Sequence, residues 1–333
     1  MKTKAAVKHN GSARRQELAL RLEADLAHRE SLFVSAARRV RERDDPEALH
    51  DLRVTSRRLS EALRLWKAVL DGREVKRVRR RLRRLRREAG PVRELEAMLE
   101  LVRSYERLVG TGARESLLPF VRRLRWRIKE GRRQVAGLAS HKRVGKILED
   151  LVRARVPLRE RFLTLPDPLA EAHRRADKQH RLSTRLASML GQDASPKTFH
   201  DARIAIKKDR YAEESWILVE ASRDSARVAR LQALQRALGT LRDHEVLENA
   251  LETYALELAA HGHLSLAREV APLREAVRRG RAQSLASYRR LVSGRRSPAR
   301  LERVPSKAAT RDASADERPK LRAVHPHART PES

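Results

Sequence analysis

Apolar residues return at every third or fourth position along most of the chain, and no stretch alternates with the period of two that marks a strand. The pattern predicts helices near 16–43, 47–70, 73–89, 92–109 and 114–138, then near 169–190, 198–221, 224–238, 242–260 and 264–291. The punctuation comes from Asp44-Asp45-Pro46, Asp71-Gly72, Gly90-Pro91, Gly110-Thr111-Gly112, Pro166-Asp167-Pro168, Gly191, Gly239, Gly262 and Gly294. Residues 139–165 form a partly helical connecting stretch. The fold class is all-α.

The chain also repeats itself. His50-Asp51-Leu52-Arg53-Val54-Thr55-Ser56-Arg57-Arg58 matches His200-Asp201-Ala202-Arg203-Ile204-Ala205-Ile206-Lys207-Lys208 at an offset of 150, and the register carries Ala62 onto Ala212 and Trp66 onto Trp216. At an offset of 149, Gly90-Pro91-Val92-Arg93-Glu94 matches Gly239-Thr240-Leu241-Arg242-Asp243. Five predicted helices on each side support a duplication. The expected organisation is a basic, disordered N-terminus (1–13), a first helical repeat (14–145), a connector (146–166), a second repeat (167–293) and a disordered basic tail (294–333).

On a helix each residue advances about 100°. His50, Arg53, Arg57 and Arg64 then share one narrow stripe, with Leu52, Leu59, Leu63 and Trp66 on the opposite face. The second copy repeats the stripe with His200, Arg203, Lys207 and Arg210. Tyr211 borders it, and Glu214 stands where the first copy has Arg64, placed to pair with neighbouring cations. Such a stripe repels itself when empty, and a phosphate chain lying on it relieves the repulsion. Arginine suits the task because its planar fork gives two directed hydrogen bonds to phosphate oxygens.

Charge changes the scale of this argument. The 333 residues hold 76 Lys+Arg against 44 Asp+Glu, a formal net charge of +32. Residues 295–333 contribute ten Lys+Arg and five Asp+Glu, so +27 remains on residues 1–294. An excess of this size points to a polyanionic partner. The densest run is Lys76–Arg87, where Val78, Leu82 and Leu85 form an apolar edge and Arg80, Arg83, Arg84 and Arg87 point away from it. A third basic stretch surrounds Trp126, which is expected in the core. There is no cysteine, which excludes disulfides and thiol chemistry. No apolar run is long enough to span a bilayer and no secretory leader opens the chain, so the expected setting is the cytoplasm.

The paired His-x-x-Arg-[Val/Ile]-x-x-[Arg/Lys]-[Arg/Lys] motifs, the Arg-Tyr-Ala-Glu-Glu continuation at 210–214 and the Leu-Gly-x-x-Arg-Asp motif at 238–243 resemble the CHAD family, the conserved-histidine α-helical domain. The resemblance covers roughly residues 16–291. It implies two bundles related by a pseudo-twofold around a basic central channel, binding of inorganic polyphosphate, and recruitment to polyphosphate granules. It implies contacts at His50, Arg53, Arg57, Arg58, His200, Arg203, Lys207, Lys208 and Arg210. Three positions depart from the family pattern: Ser60 stands opposite Arg210, Glu94 replaces the usual Asp, and Asp209 takes a position that is more often apolar.

Neither catalysis nor a resident cofactor is expected. No phosphate-binding Gly-x-x-x-x-Gly-Lys loop occurs. His261/His263 and His325/His327 lack metal-site partners, and Glu94-x-Glu96 and Asp243-x-Glu245 read as first-turn carboxylates favoured by the helix dipole. The leading partner is inorganic polyphosphate, and the alternative is the phosphate backbone of RNA or DNA. Aromatic residues are only 3%, whereas single-strand binders rely on aromatic stacking, which favours the sugar-free chain.

Overall fold

The computed structural model describes residues 2–42, 45, 47–191, 194–219 and 225–293, with side chains from residue 12 onward and, in the last of these segments, from residue 226. Among them are twelve helices and no strand: α1 (Lys2–Glu42), α2 (Ala48–Leu65), α3 (Gly72–Glu88), α4 (Gly90–Glu106), α5 (Thr111–Leu138), α6 (His141–Arg155), α7 (Leu158–Thr164), α8 (Ala170–Ser188), α9 (Pro196–Val219), α10 (Ser225–Ala260), α11 (Leu264–Glu269) and α12 (Ala271–Val292). Helix α1 starts at Lys2, inside the stretch expected to be a disordered arm. The tail from 294, with His325 and His327, lies outside the described residues.

Several boundaries are set by single residues. The Asp71 carboxylate accepts from the amides of Arg73 (2.8 Å) and Glu74 (3.0 Å) and starts α3. Asp167 does the same for α8 through Leu169 and Ala170. The matched glycines behave differently. Pro91 has no amide to donate and the chain breaks at Ala89 between α3 and α4. In the second copy Thr240 replaces that proline, so α10 runs unbroken through Gly239 where two helices were expected. Conversely, Pro272 divides the expected 264–291 helix into α11 and α12.

The core has three parts. The largest joins α1, α2, α3, α6 and α7 with Trp216 and Val219 of α9. The expected connector is therefore structural: Ile147, Leu151, Ala154, Leu158 and Phe162 are all buried in it. A second cluster joins Met98, Val102, Leu117 and Phe120 of α4 and α5 to Leu247, Leu251 and Val277 of α10 and α12. A third lies among α8, α9, α10 and α12. Elements of both sequence copies thus share cores.

The matched tryptophans meet directly. Trp66 and Trp216 stack with centroids 5.2 Å apart and planes 4° from parallel. Trp66 Nε1 donates to Ser215 Oγ (3.0 Å), and Ser215 donates to the buried Asp25 (2.8 Å), which also takes Arg29 Nε at 2.8 Å. Phe162 and His173 close the edges of the pair. Asp209, the family departure, is fully buried with Ser183, His180 and Arg227 around it. In the repeat register, the first copy has the core residues Leu59 and Phe33 opposite Asp209 and Ser183.

Trp216→Ala removes half of the stack and leaves a cavity, so it should lower unfolding free energy by about 3–5 kcal/mol. Urea denaturation followed by circular dichroism measures the loss.

Candidate polyanion-binding site

Helices α2 and α9 carry the repeated motif, and the structure brings their cations into one another's fields. Arg53 and Arg57 of α2, Arg86 of α3, Arg93 of α4 and Arg203 and Lys207 of α9 make a single cluster, with Arg242 and Asp243 of α10 and Glu94 at its edge. Desolvation, followed by the repulsion of Arg57, Arg93 and Arg203, pushes the Arg53 guanidinium down to about 10. Arg86 is also held down to about 10, by desolvation and then chiefly by Arg57. Both stay charged at neutral pH. Arg203 is lowered by desolvation and by Arg57. Lys207 is pushed well below the usual lysine range, first by desolvation and then by Arg203 and Arg57. Arg57 therefore acts on four partners from two sequence copies.

Backbone carbonyls hold the arginines in place. Arg53 Nη1 donates to the Arg86 carbonyl, and Arg86 Nη1 donates to the Ser56 carbonyl at 2.9 Å, which locks α2 against α3. Arg93 Nε donates to His50 Nδ1 at 3.2 Å. That bond leaves the proton of a neutral His50 ring on Nε2. The Nε atom of Arg203 is buried with no hydrogen-bond partner.

The matched Arg-acid motifs meet reciprocally. Glu94 lies 3.8 Å from Arg242, while Arg93 acts on Asp243. Asp243 keeps solvent contact, yet crowding by protein raises its carboxyl above the usual range, against the pull of Arg203, Arg93 and Lys207. It sits inside α10 and not in a first turn, because the helix never breaks at Gly239. Among the described residues no group of three or more His, Asp or Glu is arranged to hold a metal ion.

Other expected site residues fall elsewhere. Tyr211 is 2% exposed and belongs to the interior, with Arg210 (4% exposed) stacked 4.6 Å over its ring. A ligand lying on the surface cannot reach Tyr211. Arg58 and Arg210 both turn to Glu214, at 3.1 and 3.4 Å, so they tie α2 to α9 through the acid expected to pair with cations. Arg64 pairs with Glu61 at 2.7 Å, and its charge acts on Arg79. His200 is exposed, and Lys208 is half-buried. Arg80, Arg83, Arg84 and Arg87 are exposed as expected. Of these, Arg83 acts on the cluster, through Arg86, whereas Arg84 is bound to Glu88 at 2.6 Å. The run reaches the cluster through Arg86 itself and through Arg83 one turn before it. Arg86 and Arg93 were not singled out by sequence, although Arg93 stands in the repeated Gly-x-x-Arg-acid motif. Trp126, expected in the core, is 67% exposed.

Comparison with known proteins now bears on this geometry. The sequence signature of the CHAD domain matches residues 22–216, more than half of the chain. The chain belongs to the CHAD family. Its fold is similar to the crystal structure of the CHAD domain from the plant Ricinus communis, with a TM-score of 0.60 at 24% identity over 85% of this chain and 93% of that one. It is also similar to PptA from Streptomyces chartreusis, with a TM-score of 0.59 at 22% identity over 80% of this chain and 98% of that one. A search of curated proteins finds no match. CHAD domains are binding domains and are not known as catalysts. No helix among the described residues is long and apolar enough to cross a membrane.

Two measurements test the electrostatics of this CHAD domain. Arg57→Gln should raise the melting temperature of the ligand-free protein by about 2 °C at low ionic strength, and the gain should shrink with added salt. Lys207 has its folded pKa below its unfolded value, so the unfolded state binds more protons between the two. Its destabilisation is fully present below the folded pKa and is relieved as pH rises toward 10.5. The stability advantage of Lys207→Met over the parent chain should therefore be largest at low pH and close as pH rises toward 10.5.

Proposed function

We propose that this protein binds inorganic polyphosphate without turning it over, using the cation cluster between α2 and α9. The observation that carries the reading is the crowding of Arg53, Arg86, Arg203 and Lys207 around Arg57, where desolvation first and mutual repulsion second hold all four below their usual range. A cluster that holds its cations at a cost is one that a polyanion stabilises on arrival. The CHAD family's link to polyphosphate supports the same reading.

In this reading the duplicated halves are related by a pseudo-twofold and a phosphate chain lies along a basic channel between them. The Trp66–Trp216 stack and the reciprocal pairing of Arg93 and Glu94 with Asp243 and Arg242 support it. Arg53, Arg57, Arg203 and Lys207 contact phosphate oxygens, His50 offers its Nε2 proton, and Glu94 and Asp243 space the cations. His200 and Lys208 extend the path at its rim. In the cytoplasm such a chain would ride on polyphosphate granules. The second reading, a nucleic-acid backbone on the same cluster, uses the same charges but leaves sugars and bases without partners there.

A competition assay at physiological salt distinguishes them. Labelled polyphosphate should resist displacement by RNA and by duplex DNA at equal phosphate concentration, and its affinity should fall steeply with salt. Equal or tighter binding of nucleic acid at the cluster would overturn the reading. The double charge swap Arg53→Glu with Arg203→Glu should reduce polyphosphate affinity by at least about a hundredfold, given two lost charge-assisted contacts. Circular dichroism of that variant should match the parent.

A further inference from the structure

The arginine run of α3 has a second face that the α2–α9 cluster does not use. One depression lies on it and a second adjoins the first, with Leu138 lining both. The first gathers Arg81, Arg84, Arg143 and Lys146 over Leu85 and Ile147, between α3 and α6. The second runs between α4 and α5, with Pro91, Val92 and Leu95 on one side and Trp126 on the other. Gly131 draws these two helices together, since a Cβ there would meet Val92 Cγ2 at 2.5 Å. Glu88 lines the second depression and binds both Arg84 (2.6 Å) and Arg143 (3.2 Å) of the first. Cations and an apolar slot with an aromatic rim are thus joined on one surface.

The balance of charge there is positive. Arg84 and Arg143 share one carboxylate, and Lys146 has none within ion-pair distance among the described residues. Beside Trp126, the exposed Arg122, Arg125 and Lys129 also have none. An indole that is 67% exposed among unpaired cations gains nothing from the fold, because α5 commits Leu117, Phe120, Leu124 and Ile128 to the core.

We propose that this face binds single-stranded nucleic acid, with bases stacked on Trp126 and seated in the slot beside it, and phosphates on Arg84, Arg143 and Lys146. Every base has a face that stacks on an indole, and cations along the edge track the backbone. Gln134 and Glu130 line the slot and offer polar groups to base edges. A bare phosphate chain has nothing to lay against an apolar slot. A bilayer surface needs a broad apolar helix face, whereas the outer face of α5 sets its tryptophan among cations.

The tryptophans give the test a clean signal. Trp66 and Trp216 are buried against each other, so acrylamide quenching reads the exposed Trp126. A short oligothymidylate should quench Trp126 emission and protect it from acrylamide, and polyphosphate should do neither. Trp126→Ala should weaken oligothymidylate binding by roughly tenfold and leave polyphosphate affinity unchanged, while Trp126→Phe keeps part of the stacking. The Arg53→Glu/Arg203→Glu chain should retain the oligothymidylate response, which keeps this result independent of the α2–α9 cluster. Unchanged acrylamide access on adding oligothymidylate, or full affinity in Trp126→Ala, overturns the proposal. So does an emission shift produced by phosphatidylglycerol vesicles and not by oligothymidylate.

Discussion

The contact on which the rest depends is the stack of Trp66 on Trp216. Each ring is spent almost entirely against the other and against Phe162 and His173. Their separation leaves no room for solvent, and the Trp66 N–H is satisfied by Ser215, which is itself fixed by Asp25. Because the two rings occupy the same place in the two sequence copies, their contact sets α2 beside α9 in a defined register. Everything charged on those helices follows from that placement. A burial of this kind stabilises by several kcal/mol, enough to hold a group of like charges that would otherwise drive the helices apart.

The charges are what the stack is made to tolerate. Arg53, Arg57, Arg203 and Lys207 are half-buried and act on one another. Carbonyl acceptors at Arg86 and Ser56 soften the cost without cancelling any charge. Full neutralisation by carboxylates would give a more stable and less receptive protein. Where a carboxylate does stand within reach, as Glu214 does for Arg58 and Arg210, the result is a tie between helices. The same residue type thus does two jobs on adjacent turns, and the carboxylate within reach decides which.

That distinction explains what could be read in advance. Helix content followed from apolar spacing, and the faces of α2 and α9 followed from the helical period. The repeat identified which residues are equivalent, and in Trp66 and Trp216 it named two that touch. It could not say that they touch, since a match in sequence carries no distance. Tyr211 was misplaced because it borders the cationic stripe on its own helix, while α9 is enclosed on more than one side. Trp126 was misplaced for the opposite reason: a large aromatic residue between apolar positions reads as core until the facing helix is known. Gly239 looked like Gly90, and the one-residue difference between Thr240 and Pro91 decided whether the chain turned. Arg86 and Arg93 join the cluster from α3 and α4, at distances along the chain that a single helical wheel does not span.

The run from Lys76 to Arg87 shows why density of charge is a poor guide to the geometry of binding. Nine basic residues in twelve cannot all face one ligand, because a helix distributes them around its axis. Val78, Leu82 and Leu85 fix the buried edge, and the arginines on either side of that edge are sent to different surfaces. Arg83 and Arg86 act inward toward the α2–α9 cluster, while Arg81 and Arg84 line a depression against α6. One surface is crowded, partly desolvated and free of exposed aromatic groups. The other is open and ends at an indole. A helix built this way presents two cationic faces of different chemistry from a single basic segment, and what stands next to the arginines sets the character of each.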